Sequence, residues 1–171
     1  HSVNYGQEKL LMTHYKGETK EENPFVLNGL DKLSHLSGNE DLRFNLGSSI
    51  VFNETNVLLS LSDFKTFGGD SLGIFVEISK VGDYTWEIIK THENAIPRSL
   101  MSPETNLGSR ELHFNRELGL IYCTSYRADS FGTSSGVVYV LKVDELTNDL
   151  SFHNSIMPGS LNDDFGNYFG F

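Results

Sequence analysis

Two segments of the chain spell Gly-x-Ser-x-Gly: Gly69-Asp70-Ser71-Leu72-Gly73 and Gly132-Thr133-Ser134-Ser135-Gly136. That pattern presents a nucleophilic serine when a strand precedes it and a helix follows. Here a polar loop precedes and a strand-like run follows in both, and Ser134 stands 63 positions after Ser71. One pattern recurring at one place in a repeat reads as a turn preference, so neither serine is assigned a catalytic role. The histidines (His1, His14, His35, His92, His113 and His153) fall in different segments, without His-x-x-x-His or His-Glu-x-x-His spacing, which gives zinc no local support. The acidic stretches Asn39-Glu40-Asp41 and Asn162-Asp163-Asp164 hold carboxylates suited to oxygen ligation or acid–base work, but they read first as solvated loops. Cys123 is the only cysteine, which excludes an internal disulfide and a thiolate zinc site; its apolar surroundings predict an inert buried thiol. No glycine-rich phosphate loop ending in Gly-Lys-Ser/Thr occurs. The expectation is therefore no catalytic residue, no metal and no cofactor.

Two surface features complete the chemical reading. Asn53-Glu54-Thr55 is an acceptor sequon on a tight connection between two strand-like runs, so Asn53 is a candidate glycosylation site. Tyr84 and Trp86 share one run and are read as outer packing of a sheet before an exposed aromatic contact. The net charge is −10, from 13 Lys and Arg against 23 Asp and Glu. Such a surface repels phosphate backbones and anionic lipid, so nucleic acid is not expected as a partner. No apolar run approaches the ~18 residues needed to span a bilayer, and no membrane insertion by this segment is expected. No cleavable signal is visible, and the start at His1 looks arbitrary.

The elements that would position these residues come from a repeat. Asn45-Leu46-Gly47-Ser48-Ser49-Ile50-Val51-Phe52-Asn53 returns as Asn106-Leu107-Gly108 through Phe114-Asn115, and begins again at Asp164-Phe165-Gly166. Gly47 and Gly108 lie 61 positions apart, Gly108 and Gly166 lie 58 apart. A near-constant period of this size marks an array of one supersecondary unit. After the first copy come strand-like runs at 56–62, 72–78 and 84–90; after the second, at 118–124, 136–143 and 150–153. Each is short, rich in β-branched or aromatic residues, and bounded by Gly, Asn, Asp or Ser. Four strands in roughly sixty residues describe one propeller blade. The Asx residue before each Leu-Gly or Phe-Gly pair binds backbone N–H groups ahead of it, and the glycine permits a tight approach, so both pin the entry to a blade. The first unit is more divergent: its strands are read at Val3-Asn4, Lys9–His14, Pro24–Gly29 and Lys32–Leu36, and no amphipathic helix of convincing length is read anywhere in the chain. The proline-bearing crossing from Ile96 to Pro103 is expected to be extended and non-helical.

The order Phe/Leu-Gly, apolar strand, Asn-containing turn, second strand, glycine-rich loop, Gly-x-x-Tyr/Phe-Val strand and Trp-containing strand resembles the FG-GAP repeats of integrin α-subunit propellers and their relatives. Asp164-Phe165-Gly166 carries the FG half most closely, with Leu46-Gly47 and Leu107-Gly108 as softened versions. Gly136-Val137-Val138-Tyr139-Val140 and Gly73-Ile74-Phe75-Val76 match its Gly-x-x-Tyr-Val strand. The Gly-Ala-Pro half is missing, with Ser60-Leu61-Ser62 and Cys123-Thr124-Ser125 in its place. The calcium loop is missing too, because the Asn53–Asn56 and Asn115–Leu118 turns offer too few oxygen ligands, and calcium is not carried over.

The resemblance implies an all-β fold, a partial β-propeller of about three four-stranded antiparallel blades. The expected units are 1–45, incomplete at its start, then 46–106 and 107–164, with 165–171 opening a further blade. It further implies a non-enzymatic extracellular or cell-surface binding or adhesion module within a larger propeller protein. Its partners would be a protein or glycan ligand, and either the rest of its own polypeptide or sister subunits that close the ring. Ligands would meet the loops at 63–71 and 127–135, or the crossings at 98–106 and 157–164. The alternatives are an architectural subunit of a larger complex, or a propeller enzyme whose active site is completed outside this segment.

Overall fold

The computed structural model describes residues 9–16, 19–37, 45–62, 64, 73–101, 105, 107–108, 111–125 and 136–157. The first described elements are two antiparallel strands, β1 (Lys9–Lys16) and β2 (Thr19–Asn28). The run 32–36, expected as a strand, instead lies in a 3-10 turn at Leu30–Leu33 followed by a helical turn at Ser34–Ser37. Leu30, Leu33 and Leu36 recur every third residue, a helical spacing, and Leu30 and Leu33 are buried. Ser34 Oγ donates to the Asp31 carbonyl at 2.7 Å and closes that turn.

The second unit forms β3 (Asn45–Val51), β4 (Asn56–Ser62), β5 (Ile74–Lys80) and β6 (Thr85–His92), an antiparallel meander in sequence order. The third repeats it with β7 (Leu112–Asn115), β8 (Leu120–Ser125), β9 (Val137–Val143) and β10 (Leu150–Ile156), a four-stranded antiparallel sheet. The fold is thus all-β in two sheets. The first sheet departs from a four-stranded unit. Its strand β6 is not an edge, because β2 pairs with it in parallel, Leu27 opposite Trp86, giving six strands in the order β1-β2-β6-β5-β4-β3. An open edge of N–H and C=O groups is a template for any strand in reach, and the hairpin covers this one.

The crossing between the sheets also departs from a wholly extended path. Pro97, at φ −57°, leads into a 3-10 turn at Arg98–Leu100, an entry where a missing N–H costs nothing. Tyr139 Oη on β9 donates to the Leu100 carbonyl at 2.8 Å and ties this crossing to the second sheet.

Alternation along β4 and β5 sorts side chains between two cores. Leu59, Leu61, Ile74, Val76 and Ile78 face a layer containing Leu27, Leu30, Leu33 and Phe64. Leu58 and Phe75 face the second sheet and pack with its Ile121, Cys123, Tyr139 and Leu141. Burying each such large apolar side chain stabilises the fold by about 1.5–3 kcal/mol. Trp86 packs partly buried against the first of these cores, while Tyr84 remains 38% exposed. Among the described residues, no helix is long and apolar enough to cross a membrane.

The two sheets meet where copies of the repeated motif touch. Ser48 N–H donates to the Gly108 carbonyl at 2.9 Å, and Gly108 N–H donates to Thr124 O at 2.9 Å. Ser60 Oγ, buried, donates to the Leu107 carbonyl. Phe52 and Phe114, equivalent in the repeat, pack with ring centroids 5.9 Å apart and planes tilted by 40°. Arg116 lies 4.8 Å over the Phe114 ring and donates to the carbonyls of Val51 and Phe52. At the far end of β6, Lys90 Nζ reaches Asp149 Oδ1 and Thr147 O, at 2.8 and 2.7 Å.

Cys123 sits at zero exposure on this face, and burial pushes its thiol well above the ordinary range. Thiol alkylation is therefore expected only through opening of the sheets. Its rate should rise with denaturant in step with unfolding measured by circular dichroism; labelling of the native protein at the rate of an exposed thiol would contradict this packing.

Candidate functional site

Glu77 stands in the middle of an apolar strand, between Val76 and Ile78, on the face that carries Phe75. Its residue is only 3% exposed. A carboxylate withdrawn from water needs hydrogen bonds, and Asn56 Nδ2, from the start of β4, donates to its Oε1. On β6, the cross-strand partner of Phe75 is His92, whose side chain is 2% exposed. His92 Nε2 lies 3.8 Å from Glu77 Oε2, beyond hydrogen-bond distance, and has no hydrogen-bond partner. The ring also meets Phe52 edge to face at 6.4 Å. Burial, then the charge of Lys90 two residues away, holds the His92 imidazole down to about 4, with Asp149 opposing. At neutral pH the ring is uncharged, with one nitrogen a donor and the other an acceptor.

The same imidazole borders a cavity of about 290 Å³ beside the line where the sheets meet. Leu36 from the helical turn, Phe64 after β4 and Ile74 at the start of β5 form one wall. Ala95, Ile96 and Met101 from the crossing form another, and Leu107 of the second motif copy completes the apolar lining. Gly73 holds φ at +80° in this wall, and Gly136 holds +74° at the equivalent place before β9. A Cβ on Gly73 would stand 2.9 Å from that of Leu107, so a side chain there would close the wall. Polar groups gather at the mouth. His35 Nε2 and Glu93 Oε1 are 2.8 Å apart, Thr91 Oγ1 donates to the same carboxylate at 3.1 Å, and Arg98 and Asn94 complete the rim.

The residues singled out from sequence are placed unevenly. The backbones of Asn45 and Leu46 pair with Ser62 and Leu61, Gly47 abuts the Gly108 carbonyl, and Leu107 belongs to both the inter-sheet core and the cavity. Asn106, Asp164, Phe165 and Gly166 lie outside the described residues, as do Ser71, Ser134 and the two acidic stretches. Asn53 is on the β3–β4 turn, where its Oδ1 accepts from Thr55 N and Asn56 N at 3.0 and 2.9 Å; Asn115 Oδ1 accepts from Leu118 N at 3.1 Å in the matching β7–β8 turn. Of the histidines, His35 and His92 are brought to one cavity, and His113 stacks with Tyr122 at 6.2 Å instead. Among the described residues no three His, Cys, Asp or Glu side chains come together as a metal site. Glu77 and Asn56 were not singled out from sequence; the signal for Glu77 was a charge at a position where period-two alternation demands an apolar residue. Against known proteins, no family model, no curated protein and no solved structure matches this chain.

Proposed function

We propose that this chain is a non-enzymatic binding module, an arc of a larger β-propeller of FG-GAP-like repeats that displays a ligand site at the junction of two blades. The reading places it at the cell surface or outside the cell, with a protein or glycan partner, and the ring completed by more of the same polypeptide or by sister subunits. Support for the arc comes from the two meanders of identical strand order, joined through Gly47 and Gly108. Support for the surface location comes from the Asn53 sequon on a turn whose Glu54 and Thr55 are exposed.

The observation that carries the binding reading is the cavity itself: apolar walls, one uncharged imidazole within, and charged groups at the mouth. That is the composition of a site that holds a ligand by shape and a few oriented polar contacts. The carboxylate oxygen that would prime His92 as a proton acceptor, Glu77 Oε2, is 3.8 Å away and makes no hydrogen bond to the ring, which favours binding over proton transfer. The test is a thermal-shift panel of short oligosaccharides and peptides, followed by mass spectrometry of each stabilising compound. The expected result is a raised Tm with the compound recovered unchanged, because a ligand that binds only the folded state stabilises it by mass action. Recovery of a chemically altered compound, made at a rate that depends on His92, would overturn the reading in favour of an enzyme.

A further inference from the structure

We infer that the free edge of β10 takes an extended segment of a partner protein, added as a parallel strand, with an apolar residue opposite Leu150 and a basic residue ahead of it. This is a second surface, beyond the cavity: no residue of β10 lines that cavity, so the fate of a ligand there leaves the inference untouched.

β6 and β10 are the same strand of the repeat, laid down in the same register. The turn before each closes through one hydrogen bond, Val81 N–H to Thr85 O and Asp144 N–H to Asp149 O, both at 2.9 Å. Phe75, Glu77 and Ile78 on β5 face His92, Lys90 and Ile88, with a bulge at Ile89. Val138, Val140 and Leu141 on β9 face Ile156, Asn154 and Phe152, with a bulge at His153. Thr85 and Asp149 turn their carbonyls inward, so strand alternation points the N–H and C=O of Trp86 and Leu150 outward. At Trp86 that outer edge is filled. There β2 runs parallel to β6, Val26 N–H donates to Tyr84 O at 2.9 Å, and Leu27 stands opposite Trp86. β10 ends its sheet, and among the described residues no strand lies beyond it. Side chains register the difference: Ile88 is fully buried and Glu87 half-buried, whereas their counterparts Phe152 and Ser151 are half-buried and exposed. A bulge often guards an edge against pairing, but β6 carries one and is covered all the same.

The occupant follows from the same comparison. Leu27 packs in the core layer that holds Ile88, so a residue opposite Leu150 would lie beside Phe152, which is only partly buried against the inter-sheet core. An apolar side chain there extends that core. Ahead of it, a parallel strand passes the β9–β10 turn, where Asp144, Glu145 and Asp149 are all exposed and Lys90 pairs with Asp149. That acidic turn favours a basic residue on the incoming segment. A second copy of the chain is not the occupant, because its β2 is already seated on its own β6.

The experiment titrates the capped peptide Arg-Pro-Phe-Val-Leu-Asn, patterned on the end of β2, into the intact 15N-labelled chain and follows amide exchange. At saturation the Leu150 amide is expected to exchange at least about tenfold more slowly, with Trp86 unchanged. Replacing the peptide's Leu by Ser should weaken binding at least about tenfold, through the lost apolar burial. N-methylation of its last residue, whose N–H would meet the Leu150 carbonyl, should weaken it by a similar factor. Because every variant is in the peptide, none depends on refolding the chain. An unprotected Leu150 amide at millimolar peptide, protection at Trp86 instead, or equal binding of the N-methylated peptide would each overturn the inference. So would a concentration-dependent dimer that protects Leu150 without peptide, which would assign the edge to a second copy.

Discussion

Gly108→Ala is expected to cost about 3 kcal/mol, combining ~1–2 kcal/mol for forcing a side chain into the left-handed region with ~1–3 kcal/mol for overpacking. Gly108 holds φ at +65°, and a Cβ there would stand 2.6 Å from Ser60 Oγ and 2.7 Å from Ser60 Cβ. Ser60 is itself fixed, at zero exposure, by its hydrogen bond to the Leu107 carbonyl. The added methyl therefore meets atoms with nowhere to go. For a domain of this size the loss corresponds to a Tm lower by about 10 °C. Gly82→Ala is the control. Its Cβ would meet Thr85 at 3.4 Å, an ordinary contact, on the β5–β6 turn, and a change within about 0.5 kcal/mol is expected. Equal melting temperatures for the two variants would show that Gly108 is not wedged between the sheets.

The second large effect is acid lability centred on His92. Its imidazole is depressed from 6.5 to about 4 in the folded protein, so the unfolded chain takes up a proton that the folded one refuses. Stability from this group is complete above about pH 6.5 and is lost as the pH falls toward 4. The groups around the ring decide how much. Lys90 on β6 opposes protonation, Asp149 at the β9–β10 turn favours it, and Glu77 on β5, at 3.8 Å, would pair with an imidazolium. The shift alone would give at most about 3 kcal/mol, and the nearby carboxylate trims this to about 1–2 kcal/mol. Urea unfolding at pH 7.5 and pH 4.5 is expected to show that loss, and His92→Gln to remove most of it. Below this window Asp144 and Asp149, held low by backbone and side-chain hydrogen bonds and by Lys90, add their own loss as they protonate. A stability unchanged between the two pH values would mean that the imidazole is hydrated.

What could be read beforehand was whatever depends on local pattern. Strands at 56–62 and 137–143 announce themselves by β-branched runs closed by polar turns, and Asn53 and Asn115 by the turn each holds with its own Oδ1. Gly73 and Gly136 spell part of a hydrolase pattern, yet their shared positive φ before β5 and β9 agrees with a turn role for that pattern. The helical turn at 30–37 was legible in the three-residue spacing of Leu30, Leu33 and Leu36, but a strand was expected there from repeat alignment alone. The parallel pairing of β2 with β6 was not legible, because edge pairing follows from which strand arrives there, and no side-chain period encodes it. The site was the least legible part. Asn56, Glu77 and His92 lie on separate strands, and a one-residue bulge at Ile89 of β6, opposite the Glu77–Ile78 step of β5, sets the register that brings His92 opposite Phe75. A bulge changes which residues share a face without leaving a mark in residue type.

Equivalent copies of one motif, Leu46-Gly47 and Leu107-Gly108, meet and hold the two sheets together. The most direct test is an isotope-edited NOESY spectrum of the labelled chain. Cross-peaks are expected from the Ser48 amide to Gly108, across the 2.9 Å hydrogen bond, and between the rings of Phe52 and Phe114. Strand chemical shifts throughout both meanders with neither set of cross-peaks would contradict it, since the units would then fold without touching.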